Sequence, residues 1–308
     1  MKKIFIIHEN DEWVIPLEKE LNKIKAPFEK WHMHDSTINT NQLPPSGVFY
    51  NRMSASSHTR GHRYAPEFTS VVLNWLEFHK KRVINNSRAL QLELSKSLQY
   101  KELQKEGIKV PKTIYADSKD KLLKLGKDFP YPFLTKHNRA GKGLGINLFK
   151  EYKEFKKFVS SEKFEMSIDG ITLIQEYIKP KKDSIIRTEF IDSKFLYAVQ
   201  VDTSKGFELC PADDCNLEDY YCPANQTGNK FMILENFSNS ILKQYETVLK
   251  KNNIEIAGIE FIENSDGEIY TYDINTNTNY NSTAESLSDK NGMRTIANFL
   301  SMELNKLL

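Results

Sequence analysis

The chain opens on Ile4-Phe5-Ile6-Ile7, a short apolar run within residues 2–8 that fits a buried strand. Over residues 11–25 the apolar positions recur at Val14, Leu17, Leu21 and Ile24, the three-and-four spacing of an amphipathic helix. Residues 47–50 and 82–84 read as further strands. Between them, residues 66–79 set Phe68, Val71, Val72, Trp75 and Leu76 on one helical face. Strands alternating with helices predict a mostly parallel sheet over the first 90 residues.

Residues 90–106 carry Leu90, Leu94, Leu98 and Leu103 and predict one helix, stopped by Gly107, with Val110-Pro111 starting an extended piece. From residue 130 the pattern turns to short strands separated by turn residues, over 133–136, 145–149, 172–178, 185–191 and 194–201. A helix fits 152–160. Residues 203–227 are irregular and hold Cys210, Cys215 and Cys222 beside Asp213, Asp214 and Glu218. A helix is expected over 237–251, a strand pair over 255–263 and 268–275, and a terminal helix over 292–307. No internal repeat or low-complexity segment interrupts this order.

Composition narrows the class. Hydrophobic residues make up 39% of the 308 and charged residues 27%, a globular balance that excludes a disordered or collagen-like chain. Forty-three basic against 41 acidic residues leave +2, too even for a protein that coats nucleic acid. The run at Ile4–Ile7 is too short for a signal peptide or a membrane span. Three cysteines within thirteen positions do not form a secreted disulfide framework. A cytoplasmic protein is expected, with no nucleic-acid and no membrane partner.

The most informative chemistry lies in the last strand pair. Asp266-Gly267 between β-rich runs signals a two-residue hairpin turn. That turn sets Glu260 opposite Asp273, Ile259 opposite Ile274 and Phe261 opposite Tyr272, with Asn275 on the face of Asp273. Like charges placed opposite one another are destabilising. Two carboxylates and an amide oxygen on rigid strands make an oxygen-ligand set for Mg2+, completed by phosphates and water. A solvated polar face fits the same residues.

Residues 136–145 read Lys136-His137-Asn138-Arg139-Ala140-Gly141-Lys142-Gly143-Leu144-Gly145, a glycine loop between two strands. Dinucleotide and P-loop glycine motifs run from strand into helix, so this loop caps a hairpin instead. It suits a flap whose amides and basic side chains cover a nucleotide triphosphate, or else a plain exposed hairpin. Residues 51–63 bring Arg52, Arg60 and Arg63 together with two histidines and several hydroxyls after a strand. Two-point arginine contacts suit a substrate carboxylate there, the alternative being a solvated basic loop paired with nearby acids. The cysteines lack a CxxC pair and a neighbouring histidine, so buried thiols fit better than zinc. His8 faces the pocket or is a core histidine. Asn279, Tyr280 and Asn281 are candidate acceptor contacts.

The glycine hairpin, Leu173-Ile174-Gln175-Glu176-Tyr177-Ile178 and the closing Tyr272-Asp273-Ile274-Asn275 together resemble the ATP-grasp superfamily. The likeness is to its RimK-type carboxylate–amine ligases, from about Arg88 to Thr283. Ser95-Lys96 through Gly107-Ile108-Lys109-Val110-Pro111-Lys112-Thr113 is similar to the lysine–helix–glycine–proline–threonine segment of that family. The resemblance implies an α/β (α+β) ATP-grasp fold with an N-terminal parallel α/β substrate-side domain over 1–90. Two β-rich subdomains that clamp ATP would follow, a central one with the glycine flap over 91–178 and a C-terminal one with the metal hairpin over 179–308.

It further implies that Lys96 and Lys136 contact ATP and that Arg139, Gly141 and Gly143 belong to the covering flap. Gln175, Glu176, Tyr177 and Ile178 would form the hinge, with backbone groups of Glu176 and Ile178 reading adenine. Glu260, Asp273 and Asn275 would hold Mg2+, or Mn2+, and Arg187 would lie near the transferring phosphate. The family's aspartate two residues before that arginine is Ile185 here, with Asp183 as its substitute toward the ribose. Asp-Ile-Asn stands where a glutamate is usual, and residues 207–215 replace an arginine- and asparagine-rich segment. The resulting reading is an ATP-dependent ligase joining a carboxylate to an amine through an acyl phosphate, releasing ADP and phosphate. A small-molecule kinase and a non-catalytic ATP-binding regulatory module are its rivals. The expected partners are a small-molecule carboxylate and amine, and a homodimer is allowed.

Overall fold

The computed structural model describes residues 2–141, 143–204 and 230–307. Cys210, Cys215, Cys222 and Lys142 lie outside the described residues, as do Asp213, Asp214 and Glu218.

The first sheet has the order β2-β1-β3-β4 and is parallel throughout. Its strands are β1 (Lys3–His8), β2 (Phe28–His32), β3 (Gly47–Asn51) and β4 (Arg82–Ile84), with α1 (Ile15–Lys23) and α2 (Ala65–Phe78) as crossovers. Strand β2 escapes the hydrophobic pattern because Glu29 and Lys30 are exposed on an edge, where charge protects against strand pairing. The predicted helix over 90–106 is two helices, α3 (Ser87–Glu93) and α4 (Lys96–Lys105). Ser95 is extended and its Oγ accepts from Leu98 N (3.4 Å), so a serine inside a leucine repeat starts a new helix.

The second sheet has the order β5-β8-β6-β7 and is antiparallel. It comprises β5 (Thr113–Ala116), β6 (Phe133–His137), β7 (Asn147–Phe149) and β8 (Thr172–Glu176), backed by α5 (Lys119–Asp128) and α6 (Tyr152–Val159). The lysine-rich α5 was not legible as a helix. It begins at the Ser118 cap and buries Leu122 together with Gly126, whose missing side chain admits the Phe155 ring.

The third sheet, β11-β10-β9-β12-β13, is also antiparallel. Its strands are β9 (Ser184–Ile191), β10 (Lys194–Asp202), β11 (Phe231–Leu234), β12 (Ile256–Glu263) and β13 (Ile269–Asn275), with α7 (Ile241–Lys251) packed against them. After α8 (Ser282–Ser286), helix α9 (Gly292–Asn305) returns to the first sheet. Met293, Ile296 and Leu300 pack there with Ile4, Ile6, Leu17 and Val48. The chain's end thus completes the core of its beginning, which a division at residue 179 does not express.

The hairpin register corrects the expectation in an informative way. Asn264 N donates to Glu268 O (3.0 Å) and Gly267 N to Asn264 O (3.1 Å), so the turn is one residue longer than predicted. Glu263 therefore pairs with Ile269, and Phe261 with Thr271 rather than Tyr272. A β-bulge between Glu260 and Phe261 then absorbs one residue and restores Glu260 opposite Asp273 and Ile259 opposite Ile274. The two one-residue shifts cancel where the acids stand.

Candidate active site

Between the second and third sheets lies a cleft with two compartments that share Lys136, Ile146 and Tyr272. The first is an apolar slot walled by Pro111, Leu134, Ile185 and Ile262. Gln175, Glu176, Tyr177, Ile178 and Asp183 border it, so the hinge residues and the aspartate come together as expected. Gln175 is buried and donates to Tyr100 Oη (2.8 Å) and Thr113 Oγ1 (2.9 Å), a structural tie between the sheet and α4. Glu176 N donates to Lys112 O (2.9 Å), so that amide is committed to the sheet.

The second compartment is polar. Lys96, Lys136, Arg187, Glu260, Asp273 and Asn275 line it, with Gly141, Gly143 and Asn279 at its walls. Antiparallel pairing of β12 with β9 puts Arg187 beside Glu260, and Nη1 donates to Glu260 Oε1 (3.0 Å). Arg187 Nε also donates to Glu189 Oε1 (2.5 Å) and Nη2 to Thr278 Oγ1 (2.6 Å). Gly258 lies under this guanidinium; an added Cβ would stand 2.7 Å from Nη2. Lys96, at the first turn of α4, pairs with Asp273 at 2.6 Å. The root of the glycine loop is tied to the same turn, with Lys96 N on Asn138 O (3.2 Å) and Ser97 N on Asn138 Oδ1 (3.0 Å).

Burial raises the Glu260 carboxyl above the usual carboxylate range, Arg187 opposes that, and Asp273 adds to it. Burial also lowers Lys136 to about 8, helped by the charge of Lys96 and opposed by Asp273 and Glu260. The Lys136 ammonium sits 4.7 Å from the centre of the Tyr272 ring. Asn275 Nδ2 lies 3.5 Å from Glu260 Oε1, which leaves its Oδ1 as the atom able to accept a cation. Two carboxylates side by side, with an amide oxygen next to them, fit a hard divalent cation. Among the described residues no group of three His, Cys, Asp or Glu side chains is arranged to hold a metal, so this oxygen set with its amide is the candidate.

The arginines depart from expectation. Arg139, predicted in the flap, turns away from the cleft and donates to Glu67 Oε1 on α2 (2.7 Å). Arg63 shares the same carboxylate (3.0 Å) and reaches Ile168 O. Arg60 is held by both oxygens of Glu9 and stacks on Trp13, its charge 4.6 Å from the ring centre. Arg52 is buried against the segment after β13. Each finds an acid or carbonyl from a distant part of the chain, so none of Arg52, Arg60 and Arg63 lines the cleft as a direct carboxylate clamp. His8 is buried at the end of β1 and pushed down to about 4 by burial, with the His32 ring 5.1 Å away; it does not border the cleft.

Sequence reading missed Glu93, Glu189, Asn277 and Thr278. Glu189 could have been found two residues after Arg187, on the same face of the strand. Glu93 closes α3 and lines the polar compartment. Its Oε1 accepts from Ala55 N (3.1 Å), and its Oε2 from Thr276 N (2.7 Å) and Thr276 Oγ1 (3.1 Å), joining two loops far apart in the chain. Burial raises its pKa against those bonds. Glu93→Gln must set an amide N–H against one backbone N–H. An expected loss of about 1–3 kcal/mol follows, read as a lower urea midpoint with unchanged slope; an unchanged midpoint would remove Glu93 as the clasp.

Residues 94–208 match the family model of the RimK-like ATP-grasp domain. The glutamate–LysW ligase ArgX of Sulfolobus acidocaldarius is 28% identical over 171 residues, 55% of this chain and 60% of that protein's length. Two solved structures superpose across nearly the whole chain. One is the ATP-grasp ligase PsnB complexed with minimal precursor, Mg and ADP, with TM-score 0.66 and 13% identity over 98% of this chain and 97% of that one. The other is the RiPP-associated ATP-grasp ligase of Chryseobacterium gregarium in complex with ADP and a leader and core peptide, with TM-score 0.65 and 16% identity over 100% and 98%. Residues 94–208 are a RimK-like ATP-grasp domain, and the chain as a whole has the fold of the ATP-grasp ligases.

Proposed function

We propose that this protein is an ATP-dependent carboxylate–amine ligase. The observation that carries the reading is the meeting of an apolar hinge slot with a compartment holding Glu260, Asp273 and Asn275 opposite Lys96, Lys136 and Arg187. Adenine would lie in the slot against the Glu176 carbonyl and the Ile178 amide, with the ribose toward Asp183. The phosphates would run past Lys136 to Lys96 and Arg187, under Gly141 and Gly143. Glu260, Asp273 and Asn275 Oδ1 would hold Mg2+, or Mn2+, which would supply positive charge against the phosphates.

A substrate carboxylate oxygen then attacks the γ-phosphorus, the bond to the β-phosphate oxygen breaks and ADP departs. A neutral amine attacks the acyl carbon, phosphate leaves with the carbon–oxygen bond, and the surplus amine proton passes to water. The protein's part is to position the reactants and to stabilise developing charge through Lys136 and Arg187. No described helix is long and apolar enough to cross a membrane.

Lys136 gives a pH signature. With its folded value near 8, the ammonium is largely charged at pH 7 and largely neutral at pH 9. Mg-ADP affinity is expected to fall across that window in the wild type and to be weak and flat in Lys136→Met. A wild-type affinity that stays constant from pH 7 to 9 would remove Lys136 from the phosphate site.

The direct test is phosphate release from Mg-ATP with pools of amino acids, small carboxylates and peptides, singly and in pairs, with products read by mass spectrometry. Glutamate and peptides belong in the first pools because the relatives act on or bind them. Turnover that requires two substrates, with a product mass equal to their sum less water and absent in Glu260→Gln, supports the ligase. Release with one substrate that gains a phosphoryl group would establish a kinase instead.

A further inference from the structure

Asn277 and Asn279, in the segment that follows β13, form part of the wall of the polar compartment. Arg52, immediately after β3, sends its buried guanidinium into that wall. Nε donates to Asn277 Oδ1 (3.1 Å), and Nη2 donates to Asn279 Oδ1 (2.9 Å) and Thr278 O (3.1 Å). Nη1 reaches back to Trp13 O (2.9 Å).

A guanidinium has donors and no acceptor. The amide oxygens of both asparagines therefore face Arg52, and neither carboxamide can flip without setting N–H against N–H. Each Nδ2 is directed away from Arg52, and both asparagines line the cleft. Among the described residues neither Nδ2 donates to a protein acceptor. Thr278, between them, bonds Arg187 Nη2 (2.6 Å) and Glu189 Oε2 (2.7 Å), which fixes the wall beside the arginine of the phosphate end.

We propose that the Nδ2 groups of Asn277 and Asn279 form the subsite for the carboxylate of the substrate to be activated, with Arg52 behind them as a positioning residue. The reaction this serves rests on the ligase reading; the binding chemistry does not. Two NH2 groups offer four N–H donors and no acceptor, which suits carboxylate oxygens and rejects an ammonium. The Arg52 charge polarises both amides and strengthens them as donors. A direct arginine–carboxylate pair would stabilise the anion before reaction and blunt it as a nucleophile, whereas neutral donors hold it more lightly. This places the carboxylate beside the phosphate end without a free arginine, in keeping with the engagement of Arg52, Arg60 and Arg63 elsewhere.

Asn277→Asp and Asn279→Asp test the subsite. Each keeps its shape and its acceptor for Arg52 but presents an oxygen where an N–H donor stood. Calorimetric titrations would use L-glutamate and N-acetylglycine as carboxylate probes, with glycinamide as the probe lacking a carboxylate, each with and without saturating Mg-ADP. The wild type is expected to bind a carboxylate probe and not glycinamide. Each variant should weaken that binding at least tenfold while its thermal unfolding midpoint stays at the wild-type value, which reports correct folding. Carboxylate binding unchanged in both variants, or none by the wild type with Mg-ADP, would overturn the subsite. A wild type that binds the carboxylates but not Mg-ADP would keep the subsite and overturn the ligase reading.

Discussion

Asp273→Asn is expected to lower ATP turnover a hundredfold or more while leaving the fold intact. The substitution keeps the side chain's size and removes the charge that faces Glu260 across the bulged hairpin. Loss of one preorganised electrostatic contact costs about 2.7–4 kcal/mol in the barrier, which sets that scale. Stability should not fall with it. Asp273 forfeits its pair with Lys96 at 2.6 Å, but Glu260 is relieved of a like charge that raises its pKa. Steady-state phosphate release and thermal unfolding, measured on the same sample, check both halves. Near-wild-type turnover would remove Asp273 from the metal set, and a collapse of stability would make the loss of activity uninformative about charge.

Arg187→Met should produce the largest loss of stability. The guanidinium lies between Glu189 and Glu260, both nearly inaccessible, and methionine would leave two buried carboxylates without their cation. Breaking a buried pair from one side costs about 3–5 kcal/mol. The sign with pH follows from the carboxylates. Glu260 is already raised above its ordinary value by burial, and loss of Arg187 raises it further. A carboxyl whose folded pKa lies above its unfolded one stabilises the fold when protonated and loses that contribution as pH rises through the folded value. The deficit should therefore be larger at pH 8 than at pH 5. Arg187→Lys returns one charge without the three-way fork and should recover part of the stability but little turnover. Equal unfolding temperatures for wild type and Arg187→Met at pH 8 would show that the network carries no such stress.

Elements set by local chemistry were legible in the chain. The apolar run Ile4–Ile7 is buried in β1, and α2 forms where its apolar positions recur, although Leu73 and not Val71 faces the core. Glu260 and Asp273 sit on one face of their hairpin by the two-residue strand period. The acids of the hairpin were found through that period, although the turn was read one residue short and an unread bulge compensated for it. Local signals also failed where polar residues dominate. Ser95 ended one helix and capped the next, and β2 and α5 carry too few apolar side chains to show a face. Residues 175–178 and the two lysines were named through resemblance, and the structure brings them to the two compartments of one cleft.

The sequence by itself determined the strands and helices with a strong apolar pattern, the acidic face of the last hairpin and the glycine loop's place between strands. All of these follow from residues near one another in the chain. Only the tertiary structure decided what each arginine touches. Arg60 meets Glu9, Arg139 meets Glu67, and Arg52 meets asparagines 225 and 227 positions away. An arginine's charge is evident from its letter, but a buried guanidinium must be satisfied by whichever oxygens the packed sheets bring within hydrogen-bond distance, and no local pattern encodes that choice. For the same reason Glu93, Asn277 and Thr278 entered the site only once the first and third sheets were in contact.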